Sequence, residues 1–150
     1  RLAGEAGWGQ DPTMPGSGAA GGIGYAVGML GGSLRPGLDI VADAVGLNAL
    51  LDGADLVLTG EGQMDAQSLS GKVPVGVLRR ARARGVPVIG VAGSLGEGTE
   101  EILGAGMTAV VSVVPGVMSL EEAMGSAAAN LERTGRMLAS VWSAGARAKD

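Results

Sequence analysis

Short apolar runs and helically spaced apolar positions alternate along this chain. Residues 1–16 are rich in Gly and Pro, show no clean period and read as loop. From Ser17 to Leu30 the apolar residues Ile23, Val27 and Leu30 recur at helical spacing, with Ser17 placed where it can cap the helix. Gly31-Gly32 ends that segment and Pro36-Gly37 turns the chain. Leu38 to Leu51 then reads as one or two helices broken near Gly46. Asp55 to Thr59 is a short apolar strand that stops at Gly60, followed by a polar loop over residues 60–71. Val73 to Arg84 reads as a helix, with Pro74 in its first turn and Gly85 as its stop. Val86–Val91 is a second strand, Glu97–Leu103 a short helix and Thr108–Val114 a third strand. Ser119 with Glu122 three residues later opens a final helix running to about Ala146.

Strand and helix in alternation predict an α/β fold: three or more mostly parallel strands with flanking helices. Residues 1–50 form a helical, Gly-rich segment, expected as the remnant of a second domain. Residues 51–150 form the Rossmann-like or flavodoxin-like portion. Three strands are few for such a sheet. The others are expected from upstream chain or from another molecule, a second copy included.

Composition sharpens this picture. Hydrophobic residues make up 46% of the 150 but aromatics only 2%, so the core must be aliphatic, as suits buried parallel strands. The 29 glycines follow no three-residue period and cluster at segment ends. With no Cys and no His, disulfides, Cys/His zinc sites and the usual serine-hydrolase triad are all excluded. A net charge of −4 without a basic face argues against nucleic acid. The run Arg79, Arg80, Arg82, Arg84 reads as the solvated end of a helix rather than an anion patch. No apolar stretch is long enough to span a membrane and no signal peptide opens the chain, so a cytoplasmic location is expected. The chain begins at Arg1, which points to residues missing upstream.

Ligands of open parallel sheets bind beyond the carboxyl ends of the strands. Two of the three ends are Gly-rich and polar: Thr59 to Ser68, and Ala92 to Gly96. In the first, Glu61 and Asp65 follow a strand and Lys72 opens the next helix. Carboxylates hold Mg²⁺ or accept a hydroxyl proton, and a lysine at a helix start favours anions. That set suits phosphate chemistry, though a solvated loop carries the same residue types. Ser94 after the second strand is a ligand contact or, in the preferred reading, a cap for the next helix. Gly16-Ser17-Gly18-Ala19-Ala20-Gly21-Gly22 contains G-x-G-x-x-G, but the residues before it, including Pro12 and Pro15, cannot be the buried strand a dinucleotide fingerprint needs. It is either an anion-holding turn or a glycine-packed helix start. Gly71-Lys72 is followed by Val73, so no Walker A loop is present, and the protein-kinase motif set is missing too.

Taken together, the blocks resemble a known family. Pro15-Gly16-Ser17-Gly18-Ala19-Ala20-Gly21-Gly22-Ile23-Gly24 is similar to the PGSGAAGG-L/I-G stretch of bacterial glycerate kinases. Asp55 to Asp65 resembles their D-L-V-I/L-T-G-E-G-x-x-D block. Gln67-Ser68 with Gly71 to Val77 resembles the continuation Q-T/S-x-x-G-K-V/A-P-x-G-V, and Pro87 to Ser94 resembles the strand P-V-I/V-G-I/V-A-G-S. These blocks cover residues 11–95 in order.

The resemblance implies an enzyme that moves the γ-phosphate of ATP, with Mg²⁺, onto D-glycerate. It also implies two α/β domains in a longer chain with an N-terminal D-S-F-K-G-type motif. That motif is absent here, so the chain resembles a C-terminal portion, incomplete without the rest. Under this reading Asp65 orients or deprotonates the glycerate hydroxyl, Glu61 helps hold Mg²⁺ and Lys72 neutralises phosphate or carboxylate. Gly16, Ser17, Gly18, Gly21, Gly22, Gly60 and Ser94 contact substrate or phosphate. The alternatives are a non-catalytic α/β assembly module and a different small-acid kinase without a P-loop.

Overall fold

The computed structural model describes residue 11, residues 13–69 and residues 72–147. Most of the loop expected over residues 1–16 lies outside these residues, as do residues 70 and 71. The chain divides into two compact units, one ending at Val41 and one beginning at Ala42.

In the first unit, helix α1 spans Ala19–Met29 and is not one regular helix. Ala20, Gly21 and Gly22 have φ of 51°, 69° and 100°, a left-handed stretch that interrupts it. Only Gly avoids the Cβ clash of that region, so Ala20 is the strained member. The position before α1 is Gly18, without a side-chain cap, so the capping role expected of Ser17 is not found there. A Cβ on Gly24 would sit 2.1 Å from the Gly16 carbonyl oxygen, so the incoming loop lies directly on the helix backbone.

Helices α2 (Gly37–Ala44) and α3 (Leu47–Leu51) follow, separated by Gly46 at φ 66°, the break the sequence predicts. The second unit is organised by three parallel strands in the order β1-β2-β3: Val57–Met64, Val88–Leu95 and Ala109–Ser112. Between β1 and β2 come a 3₁₀ turn, Ala66–Leu69, and helix α4, Val73–Arg82. Helix α5, Thr99–Gly104, leads into β3. Helices α6 (Leu120–Gly125) and α7 (Ala127–Arg147) complete the chain. The α/β class with parallel strands and flanking helices is as expected. Among the described residues, no helix is long and apolar enough to cross a membrane.

The strands differ from expectation at their carboxyl ends. β1 does not stop at Thr59 but continues to Met64, with Gly60, Glu61, Gln63 and Met64 paired to Val91, Ala92, Ser94 and Leu95 of β2. Gly, Glu and Gln are poor strand formers, so local propensity hides this extension. Close backbone approach permits it: a Cβ on Gly60 would lie 2.5 Å from the Val91 oxygen, and one on Gly93 would lie 2.7 Å from the Gly62 oxygen. Most of the expected loop over residues 60–71 is therefore sheet and 3₁₀ turn, and Ser94 is a strand residue rather than a helix cap.

The core is aliphatic, as the composition demands. Leu51, Met64, Leu78, Ala81, Val88, Ile102 and Met107 form one buried cluster. The two methionines fill the space over Gly90: a Cβ there would meet the Met107 sulfur at 2.6 Å and the Met64 sulfur at 2.8 Å. Of the arginines at and just after the end of α4, Arg79 and Arg82 are exposed as expected, and Arg80 and Arg84 are half-buried. Arg80 pairs with Asp43 at 3.0 Å, Arg84 with Asp52 at 2.7 Å, and Arg82 donates to the Ala105 carbonyl. These bonds tie α4 to the segment 42–52 and to the end of α5.

The start of α6 has the capping box read from the sequence. Ser119 Oγ accepts from the Glu122 amide at 3.2 Å, and the Glu122 carboxylate accepts from the Ser119 amide at 2.8 Å. Hydrogen bonds from the Ser119 backbone and hydroxyl hold the Glu122 carboxyl below its usual range. A depressed carboxyl stabilises the fold above its unfolded pKa and loses that contribution as pH falls through the folded value. The amide resonances of Ser119 and Glu122 should therefore titrate together below the ordinary glutamate range, and Glu122→Gln should abolish the transition in NMR. Gly60→Ala should lower stability by about 1–3 kcal/mol through overpacking, read as a lower urea midpoint with unchanged slope.

Candidate functional site

At the carboxyl end of β1 the chain makes one tight turn that gathers the polar residues. Ser68 is fully buried and sits at its centre. Its hydroxyl donates to Glu61 Oε1, and its Oγ accepts from the Asp65 amide at 3.3 Å. Asp65 Oδ1 accepts from the Gln67 amide at 2.9 Å, and Oδ2 accepts from Gln63 Nε2 at 3.2 Å. Lys72, at the cap position of α4, places Nζ 3.9 Å from Asp65 Oδ1. Their side chains are 42% and 21% exposed, so water screens this pair and it holds neither group tightly.

The turn after β2 clamps this arrangement. The Gly96 amide donates to the Met64 carbonyl at 2.8 Å, and the Ala66 amide donates to the Glu97 carbonyl at 3.0 Å. A Cβ on Gly96 would sit 2.9 Å from Asp65 Cβ. Gly98, at φ 85°, would place a Cβ 2.4 Å from Ala66 Cβ. Glycine at 98 thus meets both a left-handed backbone and a close neighbour.

Glu61, Asp65 and Lys72, which the sequence singles out, therefore lie on one small structure. Ser94 pairs with Gln63 across the strands and is exposed beside it. Gly60 lies within β1, where packing against Val91 already accounts for a glycine. Gly16, Ser17, Gly18, Gly21 and Gly22 belong to the first unit, whereas Glu61, Asp65 and Lys72 belong to the second. In the first unit the amides of Ser17 and Ala19 are already bonded to the carbonyls of Met14 and Gly16.

Sequence reasoning gave Ser68 and Gln63 no separate role. Ser68 Oγ bridges the side chain of Glu61 and the backbone of Asp65. A serine between Gln67 and Leu69 carries no signal of this role, because burial is not readable from the sequence. Among the described residues, no group of three or more acids, His or Cys is placed to hold a metal ion. Two carboxylates on a short turn are nonetheless the usual protein share for Mg²⁺, which keeps waters and substrate phosphates as its remaining ligands.

The sequence profile described as the glycerate kinase family matches residues 5–143, well past the motif blocks that end near Leu95. A glycerate kinase of Halalkalibacterium halodurans is 45% identical over 130 residues, covering 86% of this chain and 34% of that protein. A glycerate kinase of Bacillus subtilis is 44% identical over 125 residues, covering 83% and 33%. A glycerate 2-kinase of Escherichia coli is 42% identical over 135 residues, covering 89% and 35%. A crystal structure of a protein described as glycerate kinase 2 from Salmonella typhimurium superposes with a TM-score of 0.67 at 44% identity, over 88% of this chain and 34% of that one. The chain thus spans about a third of the length of the relatives it matches.

Replacing Ser68 by Ala would leave a Glu61 oxygen and the Asp65 amide without their shared partner. The expected cost is about 1–3 kcal/mol, the penalty of an unsatisfied buried group, read from the urea midpoint.

Proposed function

The chain belongs to the glycerate kinase family, and we propose that within the complete protein it supplies the carboxylate and lysine side of a site that phosphorylates D-glycerate from ATP. The observation that carries this reading is the assembly of Glu61, Asp65 and Lys72 around buried Ser68 at the carboxyl end of a parallel strand. Phosphoryl transfer asks the protein mainly to position reactants and to neutralise charge, and these residue types do both.

In this reading a glycerate hydroxyl oxygen forms a bond to the γ-phosphorus as the bond from that phosphorus to the β,γ-bridging oxygen breaks. Asp65 takes the hydroxyl proton. Its two oxygens accept from the Gln67 amide and from Gln63 Nε2, which leaves lone pairs for a substrate hydroxyl. Those same bonds aim the carboxylate. Lys72 lies beside Asp65 on a side chain that is 42% exposed, free to swing toward phosphate or the substrate carboxylate. Glu61, oriented by Ser68, would help hold Mg²⁺. Bound with the nucleotide, that ion would neutralise charge on its β- and γ-oxygens.

Ser94, which pairs with Gln63 across the strands, is assigned a substrate contact. The Gly-rich segment Gly16 to Gly22 is assigned to an anion through backbone amides other than those of Ser17 and Ala19. The strained Ala20 at its centre supports a role there beyond packing. The cytoplasm suits a kinase of this kind.

The test is coupled ADP release with ATP, Mg²⁺ and D-glycerate, on this chain and on a chain extended to the length of its relatives. The extended chain should turn over. In it, Asp65→Asn should lower kcat at least 100-fold with little change in either KM, as expected for loss of a general base. Near-normal turnover of that variant would remove Asp65 from the proton's path.

A further inference from the structure

Next to the acid cluster, at the same end of the sheet, lies a groove of about 830 Å³. Its floor includes the strand-end glycines Gly62 and Gly93, whose backbones approach so closely that a Cβ on Gly93 would meet the Gly62 oxygen at 2.7 Å. Above Gly62 a Cβ would touch nothing within 4 Å, so that part of the floor is open. Leu95 and Val114 line it from the strand ends, and Leu120 and Met124 line it from α6. Leu120 and Met124 are 76% and 70% exposed, large apolar side chains left facing open space. Among the described residues, no charged side chain lines the groove.

Two features limit what fits. First, the groove and the acid cluster share the carboxyl ends of β1 and β2. Gly62 follows Glu61 directly, and the lining residues Ser94 and Leu95 pair with Gln63 and Met64. Second, its chemistry is opposite to that of the cluster: aliphatic walls with serine hydroxyls and no charge. A three-carbon hydroxy acid is polar throughout and would leave most of this volume empty, since pockets of roughly 300–1,000 Å³ suit much larger ligands. A ligand that uses both regions must have a flat, weakly polar end and an anionic end. A nucleoside triphosphate has that form.

We propose that this groove holds the base and ribose of the nucleotide whose phosphates meet the Glu61, Asp65 and Lys72 cluster. The proposal rests on the kinase reading above and adds to it the place of the nucleoside. The aliphatic side chains of Leu95, Val114, Leu120 and Met124 enclose the base by dispersion and burial. Ser94, on the side toward Gln63, is placed at the ribose.

The experiment uses the chain extended to the length of its relatives. Ala123, partly buried on the α6 side of the groove, is replaced by Trp to fill the space, and exposed Leu120 by Gln to weaken the wall without burden on the core. Ala123→Trp should raise KM for ATP at least tenfold while KM for D-glycerate stays within twofold. Leu120→Gln should raise KM for ATP about threefold. Adenosine should compete with ATP in the wild type and bind in isothermal titration, and Ala123→Trp should lose that binding.

If both variants keep the wild-type KM for ATP, or adenosine binds Ala123→Trp as it binds the wild type, the groove is not the nucleoside site and the remaining chain covers it instead. Should Ala123→Trp fail to fold, Leu120→Gln decides by the same split. A wild type that releases no ADP with D-glycerate overturns the kinase reading itself, and adenosine titration of wild type against variant then judges the groove alone.

Discussion

The parallel pairing of β1 with β2 is the constraint on which the second unit depends. Two backbones run side by side from Val57 and Val88 to Met64 and Leu95. At the carboxyl end they approach so closely that side chains at 60 and 93 would strike carbonyl oxygens of the other strand. Glycine there is a steric requirement rather than a sign of a loop. The pairing carries Glu61, Gln63 and Met64 out of solvent disorder and into fixed register. Everything polar that follows is hung from that register, including the turn through Ser68 and the docking of Gly96 against Met64.

The site shows how a buried hydroxyl organises exposed charge. Ser68 offers one donor and accepts in return, and it spends both on the segment it belongs to. Because it is fully buried, those bonds are made away from competing water and are costly to break. Glu61 and Asp65 remain partly exposed at the rim, where a ligand can reach them. A rigid hydrogen-bonded base under accessible carboxylates is what a phosphoryl-transfer site requires, since misplacement of the reacting groups is expensive. The nearby aliphatic groove supplies what the cluster lacks, a dry surface without charge.

Much of this was legible along the chain. The alternation of apolar runs and helical spacing marked the three strands, the α2–α3 break at Gly46, Pro74 in the first turn of α4 and the capping box at Ser119. These features are local: the residue that causes each lies within a few positions of its effect. Glu61, Asp65 and Lys72 were legible as candidates because carboxylates and a lysine follow a buried strand. The absence of Cys and His removed whole classes of mechanism. The ordered motif blocks, joined by the profile match, gave the family.

What the tertiary structure decided were matters of distance between residues remote in sequence. The extension of β1 through Gly60 to Met64 depends on a partner strand some thirty residues later, and its own residues argue against it. Ser94 became a strand residue for the same reason. The pairing of Arg80 with Asp43 and Arg84 with Asp52 depends on a helix pair that no local period reveals. The close approach of the Gly16 carbonyl to Gly24, eight residues on, is likewise a matter of packing that the glycine count does not reveal. The sequence by itself thus determined which elements form and which candidate residues they carry, because propensity, capping and charge act over a few residues. Only the folded chain decided that Ser68 is buried between two carboxylate-bearing positions and that a groove opens beside them, because burial and register are properties of the packed whole.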